Sequence, residues 1–235
     1  MTYRTSFLIV LLRNISRKLG FNKIIHDYIL NTKGLYEDNF MNNLLSKTQP
    51  GFCVWDIGAN IGFYTTKFAD LVGSNGLVEA FEPSIENYKK LIDASKDYKN
   101  ISCNKHALGS YNGDAFFLQG EDDIGATSRL TESKSQSSNE KSFLVNLRTG
   151  DSLVEANETT QPNLLKIDVE GFELDVLNGF SEILSNQNLK VIGIEVHFEL
   201  LKKRGIKPSK IEKILKNNDF EIDWTDPSHI IAERK

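Results

Sequence analysis

Residues 54–62 constrain the fold most strongly, because an apolar run ends there in an aspartate and a glycine-rich turn. The segment reads Val-Trp-Asp-Ile-Gly-Ala-Asn-Ile-Gly. Buried parallel strands are continuously apolar, and glycines allow the positive φ angles of a tight turn. Asp56, Gly58 and Gly62 therefore predict a strand, a turn and a helix in succession, as in the nucleotide-binding α/β folds.

A second apolar run, 76–81, ends at Glu82. A carboxylate at the tip of the second strand accepts ribose hydroxyls in nucleotide-binding α/β folds. The first turn lacks the G-x-G-x-x-G pattern of a pyrophosphate site, and Asp56 would repel a pyrophosphate but suits a cationic ligand. S-adenosylmethionine carries a ribose, a sulfonium and an ammonium group, so the two segments together predict this cofactor. The glycine pattern alone also fits an ordinary strand–turn–helix unit.

A third unit of strand, acidic turn and helix carries Asp168 at the end of the strand and Glu170 two residues later. Glu195 and His197 stand in the same relation at the end of the next predicted strand. Because the carboxyl ends of parallel strands meet at one edge of a sheet, we predict these four residues as the catalytic set. Glu173 can instead serve the first turn of the following helix, where negative charge is favourable.

Carboxylates that cluster at strand ends repel one another unless a positive or proton-donating group lies among them. The candidates are the cofactor sulfonium, a substrate hydroxyl that gives up its proton, Lys166, or a divalent metal. Oxygen ligands of this kind suit Mg²⁺ or Ca²⁺, and neither Cys53 nor Cys103 lies near a histidine at a spacing typical of zinc sites. A divalent metal and a protein base therefore both stay open as ways to activate a hydroxyl.

Three segments of the chain resemble the FkbM family of S-adenosylmethionine-dependent methyltransferases. They are the D-x-G-A-N-x-G segment at 56–62, the F-E-P triplet at 81–83 and the K-I-D-V-E-G-F-E segment at 166–173. Supporting matches at 107–109, 125–128 and 194–197 extend the resemblance over about 51–198. Ser84 departs from the asparagine that many members carry. The resemblance implies a Rossmann-like class I methyltransferase fold and methyl transfer to a sugar or polyketide hydroxyl.

The predicted cofactor contacts follow the strand ends. The first turn is expected to hold the methionine portion, Glu82 the ribose, and the region after the third strand the adenine, as in related folds. The full predicted set is Asp56, Gly58, Ala59, Asn60, Gly62, Tyr64, Glu82, Pro83, Ser84, His106, Ala107 and Asp168.

Helical and strand patterns alternate along the chain, which indicates an α/β fold with a mostly parallel, doubly wound sheet. Residues 220–224 and 230–233 are joined by Asp226-Pro-Ser and predict a C-terminal antiparallel hairpin. We place the methyltransferase domain at 46–235. The polar stretch 131–142 fits either a solvated loop or part of a lid over the acceptor.

Residues 1–45 are predicted to form a helical extension. Apolar residues recur at helical spacing between Phe7 and Leu19, and five basic residues precede the first acid, Asp27, so a basic amphipathic helix is expected. It can cover the core, form a homodimer interface, or attach peripherally to a membrane surface or a glycan assembly. The apolar run at 7–12 is far shorter than the roughly 20 residues that span a bilayer.

Composition limits the remaining choices. The chain has 235 residues, 40% of them hydrophobic and 26% charged, which is typical of a globular protein. A net charge of −4 argues against a nucleic-acid partner. Two cysteines provide no disulfide framework, so we expect a reduced, cytoplasmic location.

The predicted function is methyl transfer from S-adenosylmethionine to a hydroxyl oxygen, with a sugar in a glycan or glycoconjugate as the favoured acceptor. One alternative acceptor is a small-molecule or polyketide hydroxyl. Another alternative is a non-catalytic nucleotide- or glycan-binding module, since a fold alone does not fix a function.

Overall fold

The structure is a computed structural model that describes residues 39–118, 129–131 and 142–235. The predicted amphipathic helix near the N-terminus lies outside these residues, as does most of the polar stretch 131–142. The prediction of lipid, dimer or lid contacts by those segments therefore stays a prediction.

Eleven strands and eight helices are seen in the described parts of the chain. The helices are α1 (39–46), α2 (Phe63–Val72), α3 (Ile85–Ser95), α4 (Gly150–Glu155), α5 (Glu173–Asn178), α6 (Ser181–Ser185), α7 (Phe198–Lys203) and α8 (Ser209–Asn217). The strands are β1 (Cys53–Ile57), β2 (Leu77–Phe81), β3 (Ile101–Asn104), β4 (Ala107–Leu108), β5 (Gly113–Leu118), β6 (Arg129–Thr131), β7 (Ser142–Arg148), β8 (Leu164–Ile167), β9 (Val191–Glu195), β10 (Phe220–Trp224) and β11 (His229–Arg234).

The central sheet has seven strands in the order β10-β11-β9-β8-β1-β2-β3. Strands β3, β2, β1, β8 and β9 pair in parallel, whereas β11 runs antiparallel to both β9 and β10. The prediction of a mostly parallel sheet that ends in an antiparallel hairpin is confirmed. The order reverses direction between β1 and β8, and such a switch point is where ligands bind in open α/β sheets.

Alternating side chains of the central strands pack on opposite faces of the sheet. In β1, Val54 joins a cluster with α1 and α2, while Trp55 joins the larger cluster beneath α4 to α8. Both side chains have no exposed surface. Helices on both faces explain why the central strands are mostly apolar rather than alternately polar.

Helix α1 packs on the sheet through two residues of the predicted N-terminal extension. Phe40 and Leu44 are buried, and a Cβ added to Gly193 would lie 2.7 Å from the Leu44 side chain. The glycine thus allows α1 to approach β9 closely. None of the helices in the described ranges combines the length and apolar character that a bilayer crossing requires.

A second sheet of four strands, in the order β4-β7-β5-β6, lies beside the carboxyl end of the main sheet. Its inner face contributes a small cluster that includes Ala107, Phe117, Leu130 and Leu147. The sequence predicted some of these strands but did not indicate that they form a separate sheet. The short helices α4, α6 and α7 were likewise not predicted, because each offers at most six residues of periodicity.

Candidate active site

A cleft opens at the carboxyl ends of β1, β2 and β8, the edge of an open α/β sheet at which ligands bind. Of the predicted cofactor contacts, those that line the cleft are Gly58, Asn60, Glu82, Pro83, His106, Ala107 and Asp168. The cleft is also lined by Asn87, Phe117 and Leu130, which carry no functional signal in the sequence.

Glu82 lies at the tip of β2, where its carboxylate is fixed by backbone donors. Its Oε2 accepts from the N–H of Asn60 at 2.9 Å, and its Oε1 accepts from the N–H of Ser84 at 2.8 Å. Burial raises the pKa of Glu82 to about 7, although these two hydrogen bonds oppose the rise. Each carboxylate oxygen has a further lone pair, so the oriented group can still accept ribose hydroxyls.

Asp56 does not line the cleft. Its carboxylate is fully buried, its Oδ2 accepts from the Thr65 hydroxyl at 2.6 Å, and its Oδ1 lies 3.2 Å from Lys166 Nζ. Asp56 and Lys166 are register partners on the parallel strands β1 and β8, so their side chains share one face of the sheet. Asp56 therefore acts on the turn through Thr65 and Lys166 rather than by facing the cleft.

Lys166 is the cation that links the turn to the acidic cluster. Besides Asp56, its ammonium group donates to the carbonyl oxygen of Gly58 at 2.9 Å and lies 3.5 Å from Asp168 Oδ2. Its Nζ also sits 5.2 Å from the centre of the Tyr64 ring. Burial alone would lower the pKa of Lys166, but the charges of Asp56 and Asp168 outweigh it and raise the pKa.

The first turn approaches β8 so closely that only glycine fits at position 58. Gly58 has a φ of 79°, and a Cβ placed there would lie 1.8 Å from the carbonyl oxygen of Asp168. The N–H groups of Gly58 and Ala59 both donate to the carbonyl oxygen of Phe81 at 3.0 Å. The turn is thereby held against both neighbouring strands.

Several predicted contacts serve the scaffold instead of lining the cleft. Gly62 begins α2 with a φ of 91°, and Ser84 caps α3 by accepting from the N–H of Asn87. Ala59 is buried against Ala80 and Leu91, and Tyr64 packs among aromatic rings beneath the turn.

His106 borders the part of the cleft that the small sheet covers. Its ring lies 5.5 Å from that of Phe81, and its Nε2 is buried with no hydrogen-bond partner in the described residues. Burial lowers the pKa of His106, so the ring is neutral at pH 7. A buried polar atom without a partner fits a site that awaits a ligand. Together with Glu82 and the glycine turn, it matches the polar groups of a nucleoside.

The four predicted catalytic residues lie together around His197, and two of them, Asp168 and Glu170, also line the cleft. Its Nε2 lies 3.3 Å from Glu170 Oε2, 3.7 Å from Glu195 Oε1 and 3.8 Å from Asp168 Oδ1. Glu170 reaches this position with a φ of 49°, a left-handed conformation that is uncommon outside glycine. The backbone between β8 and α5 is thus bent so that Asp168 and Glu170 face one imidazole.

Glu173 completes this cluster, although the sequence placed it in the first turn of a helix. It does begin α5, but its side chain is fully buried and its Oε1 lies 2.7 Å from His197 Nδ1. The same oxygen accepts from the N–H of Gly171 at 2.8 Å. The E-G-F-E spacing was the available signal, but only the fold shows that Glu173 orients His197.

The charges of the cluster set its protonation. Burial by itself lowers the pKa of His197, but hydrogen bonds to Glu170 and Glu173 and the charge of Asp168 raise it to about 11. His197 is therefore an imidazolium at neutral pH. Burial raises the pKa of Asp168 above its ordinary value; the charges of Lys166 and His197 oppose this rise, and those of Glu195 and Glu170 add to it.

Asp168, Glu170 and His197 are also the described residues that could hold a metal ion, since one ligand atom from each lies within 4.8 Å of the others. A metal would have to displace a proton from the imidazolium, because both ring nitrogens face carboxylate oxygens. The donor set fits a divalent cation only at that cost.

Comparison with known proteins agrees with this geometry. The family model described as the methyltransferase FkbM domain matches residues 56–222. The hexuronic acid methyltransferase AglP of Haloferax volcanii is 28% identical over 204 residues, which cover 85% of this chain and 77% of that protein.

Solved structures of similar shape include two with bound S-adenosylmethionine. Fibrillarin of Aeropyrum pernix has a TM-score of 0.48 at 13% identity, covering 79% of this chain and 66% of that one. Magnesium protoporphyrin IX methyltransferase of Synechocystis PCC 6803 has a TM-score of 0.48 at 12% identity, covering 97% of both chains.

The family match spans most of the domain and includes every strand end that forms the cleft. The chain therefore belongs to the FkbM family of S-adenosylmethionine-dependent methyltransferases.

Proposed function

We propose that this protein transfers the methyl group of S-adenosylmethionine to a hydroxyl oxygen of a sugar in a glycan or glycoconjugate. The observation that carries the proposal is the polar cluster around His197, which adjoins the cofactor cleft through Asp168 and Glu170. Carboxylates and an imidazolium hydrogen-bond hydroxyls well, and carboxylate oxygens have lone pairs beyond those used within the cluster. The similarity to a hexuronic acid methyltransferase supports a sugar acceptor.

The proposed cofactor site uses the residues that line the inner cleft. Glu82 accepts the ribose hydroxyls, the turn at Gly58 and Asn60 holds the methionine portion, and His106 borders the adenine. When bound, S-adenosylmethionine supplies an electrophilic methyl group on a positively charged sulfur.

Asp168 is the proposed general base. A hydroxyl is a weak nucleophile while it keeps its proton, and Asp168 lines the cleft with its Oδ1 3.8 Å from His197 Nε2. The raised pKa makes Asp168 more basic than an ordinary carboxylate, so Asp168 can accept a proton from the acceptor as the new C–O bond forms. His197, fixed by Glu173, donates from Nε2 to orient the acceptor oxygen or Glu170.

The proposed route needs no metal, because His197 already supplies the positive charge among the carboxylates. The test uses the full chain, S-adenosylmethionine and a panel of neutral sugars, uronic acids and polyketide alcohols, with release of S-adenosylhomocysteine as the readout. Chelator should leave turnover unchanged. Loss of turnover that Mg²⁺ restores would establish the metal route instead.

Substitutions test the roles. Asp168→Asn should lower turnover by roughly 10²–10⁴-fold, a larger loss than any it causes in cofactor affinity through its place in the lining of the cleft. Glu173→Gln should lower turnover by misorienting His197. Asp93→Asn, on an exposed pair with Lys96, is the matched control and should be neutral.

The product distinguishes the acceptor atom. A methyl ether survives mild alkali, whereas a methyl ester on a uronic acid carboxylate is cleaved, so an alkali-labile product would overturn the hydroxyl assignment. Binding of S-adenosylmethionine without transfer to any member of the panel would favour the non-catalytic binding module.

A further inference from the structure

Asp226 and His229 form a buried pair on the side of Glu195 that faces away from His197. The side chains of Asp226 and His229 are 1% and 3% exposed, and His229 Nδ1 lies 2.8 Å from Asp226 Oδ2. His229 Nε2 lies 3.6 Å from Glu195 Oε2. His229 carried no signal in the sequence, and neither residue borders the cofactor cleft.

The sheet explains why these residues meet. His229 and Glu195 are register partners on the antiparallel strands β11 and β9, and directly opposite residues project on the same face. Asp226 is held in the turn before β11, where its Oδ1 accepts from the N–H groups of Ser228 at 2.8 Å and His229 at 3.0 Å. The ring of Phe40 stacks on His229 at 4.3 Å. The imidazole is therefore fixed by its turn and by α1.

The contacts continue into the active site as an alternation of acidic and basic groups. Asp226 contacts His229, His229 contacts Glu195, Glu195 Oε1 lies 3.7 Å from His197 Nε2, and His197 contacts Glu173. Glu195 thus has an imidazole beside each carboxylate oxygen. Such an arrangement restricts the carboxylate to one orientation between His229 and His197.

We propose that Asp226 and His229 are positioning residues that fix Glu195 and, through it, the acceptor side of the active site. The expected loss of kcat rests on the proposed function, whereas the coupling of His229 to His197 through Glu195 rests on geometry alone. The raised pKa of His229, about 9, agrees with an imidazolium that faces two carboxylates; burial opposes this rise and the contacts with Asp226 and Glu195 cause it.

Two substitutions at one position separate the contacts of His229. In His229→Asn, the amide nitrogen lies near the position of Nδ1, so the variant can keep the contact with Asp226 but loses the contact with Glu195. Glutamine reaches the position of Nε2 and keeps a donor toward Glu195. Partners that orient metal ligands typically contribute about 10- to 100-fold to activity. By the same reasoning, His229→Asn should lower kcat on a verified acceptor by about tenfold or more, and His229→Gln by clearly less.

The affinity for S-adenosylhomocysteine should stay within about twofold in both variants, because His229 does not reach the cofactor cleft. Lys216→Gln, on the exposed face of α8, is the control that should change nothing. The double variant His229→Asn/Glu195→Gln should be no slower than Glu195→Gln alone, since coupled residues are not additive.

A readout that needs no acceptor tests the coupling directly. The ring ¹⁵N shifts of His197, measured at one pH with labelled histidine, should move in His229→Asn and stay closer to the wild-type values in His229→Gln. Unmoved His197 shifts, equal kcat for the two variants, or additive losses in the double variant would overturn the positioning role. If the wild type methylates no acceptor while the His197 shifts move, the proposed function fails and the coupling stands.

Discussion

The affinity for a nucleoside should depend on pH through Glu82. The carboxylate must be ionised to accept two ribose hydroxyls, and its pKa is about 7 in the unliganded site because the group is buried. The ionised fraction then rises from about one eleventh at pH 6 to about ten elevenths at pH 8, so affinity should rise about tenfold over this window. The direction follows from the raised pKa: the free site holds a proton that ligand binding must release.

Adenosine is the best ligand for this measurement, since it keeps the ribose but lacks the methionine portion that would lie near Asp168. Calorimetry at pH 6, 7 and 8 should show the rise for adenosine and a weaker one for 2′-deoxyadenosine. Glu82→Gln should remove the pH dependence and lower affinity at pH 8 by roughly ten- to a hundredfold, the contribution of one charge-assisted hydrogen bond.

Glu79→Gln provides the matched control. Glu79 is a second buried carboxylate on β2, where it accepts from the Asn104 amide at 2.9 Å away from the cleft. This variant should keep the wild-type pH response. An unchanged affinity of folded Glu82→Gln for adenosine would refute the ribose assignment, and a pH response that persists in it would assign the titration to another group.

Two further predictions concern the scaffold of the site. Lys166→Met should lower the free energy of unfolding by about 3–5 kcal/mol, because it leaves Asp56 buried without its cation. Urea denaturation measures this loss, and Lys96→Met, on the exposed pair with Asp93, is the control. A loss for Lys166→Met no larger than that for Lys96→Met would contradict the prediction. Gly58→Ala should abolish cofactor binding. Gly51→Ala is the control, because Gly51 has a similar φ of 82° but nothing within 4 Å of the added Cβ, and it should cost only about 1–2 kcal/mol of stability. Equal effects of the two changes on cofactor binding would argue against close approach of the turn to β8.

The sequence by itself determined the order of the strands, turns and helices whose ends form the cleft. Continuous apolar runs ending in Asp56, Glu82 and Asp168 predicted parallel strands, because a strand covered on both faces has no polar side. The glycines after Asp56 predicted the turn, and the C-terminal hairpin followed from two short runs with a turn between them. These signals are local, so neighbouring residues carry them.

The tertiary structure alone decided which side chains face the cleft and which hold it in place. Asp56 was expected to contact the ligand, yet its register with Lys166 places its carboxylate in a buried ion pair that supports the turn. Register likewise places His229 against Glu195, and the left-handed bend at Glu170 brings Glu173 beneath His197. Strand pairing joins residues that are far apart in the chain, so local sequence patterns do not predict which residues pair. The sequence therefore predicted the strand ends, while the contacts among their side chains depend on how the strands align.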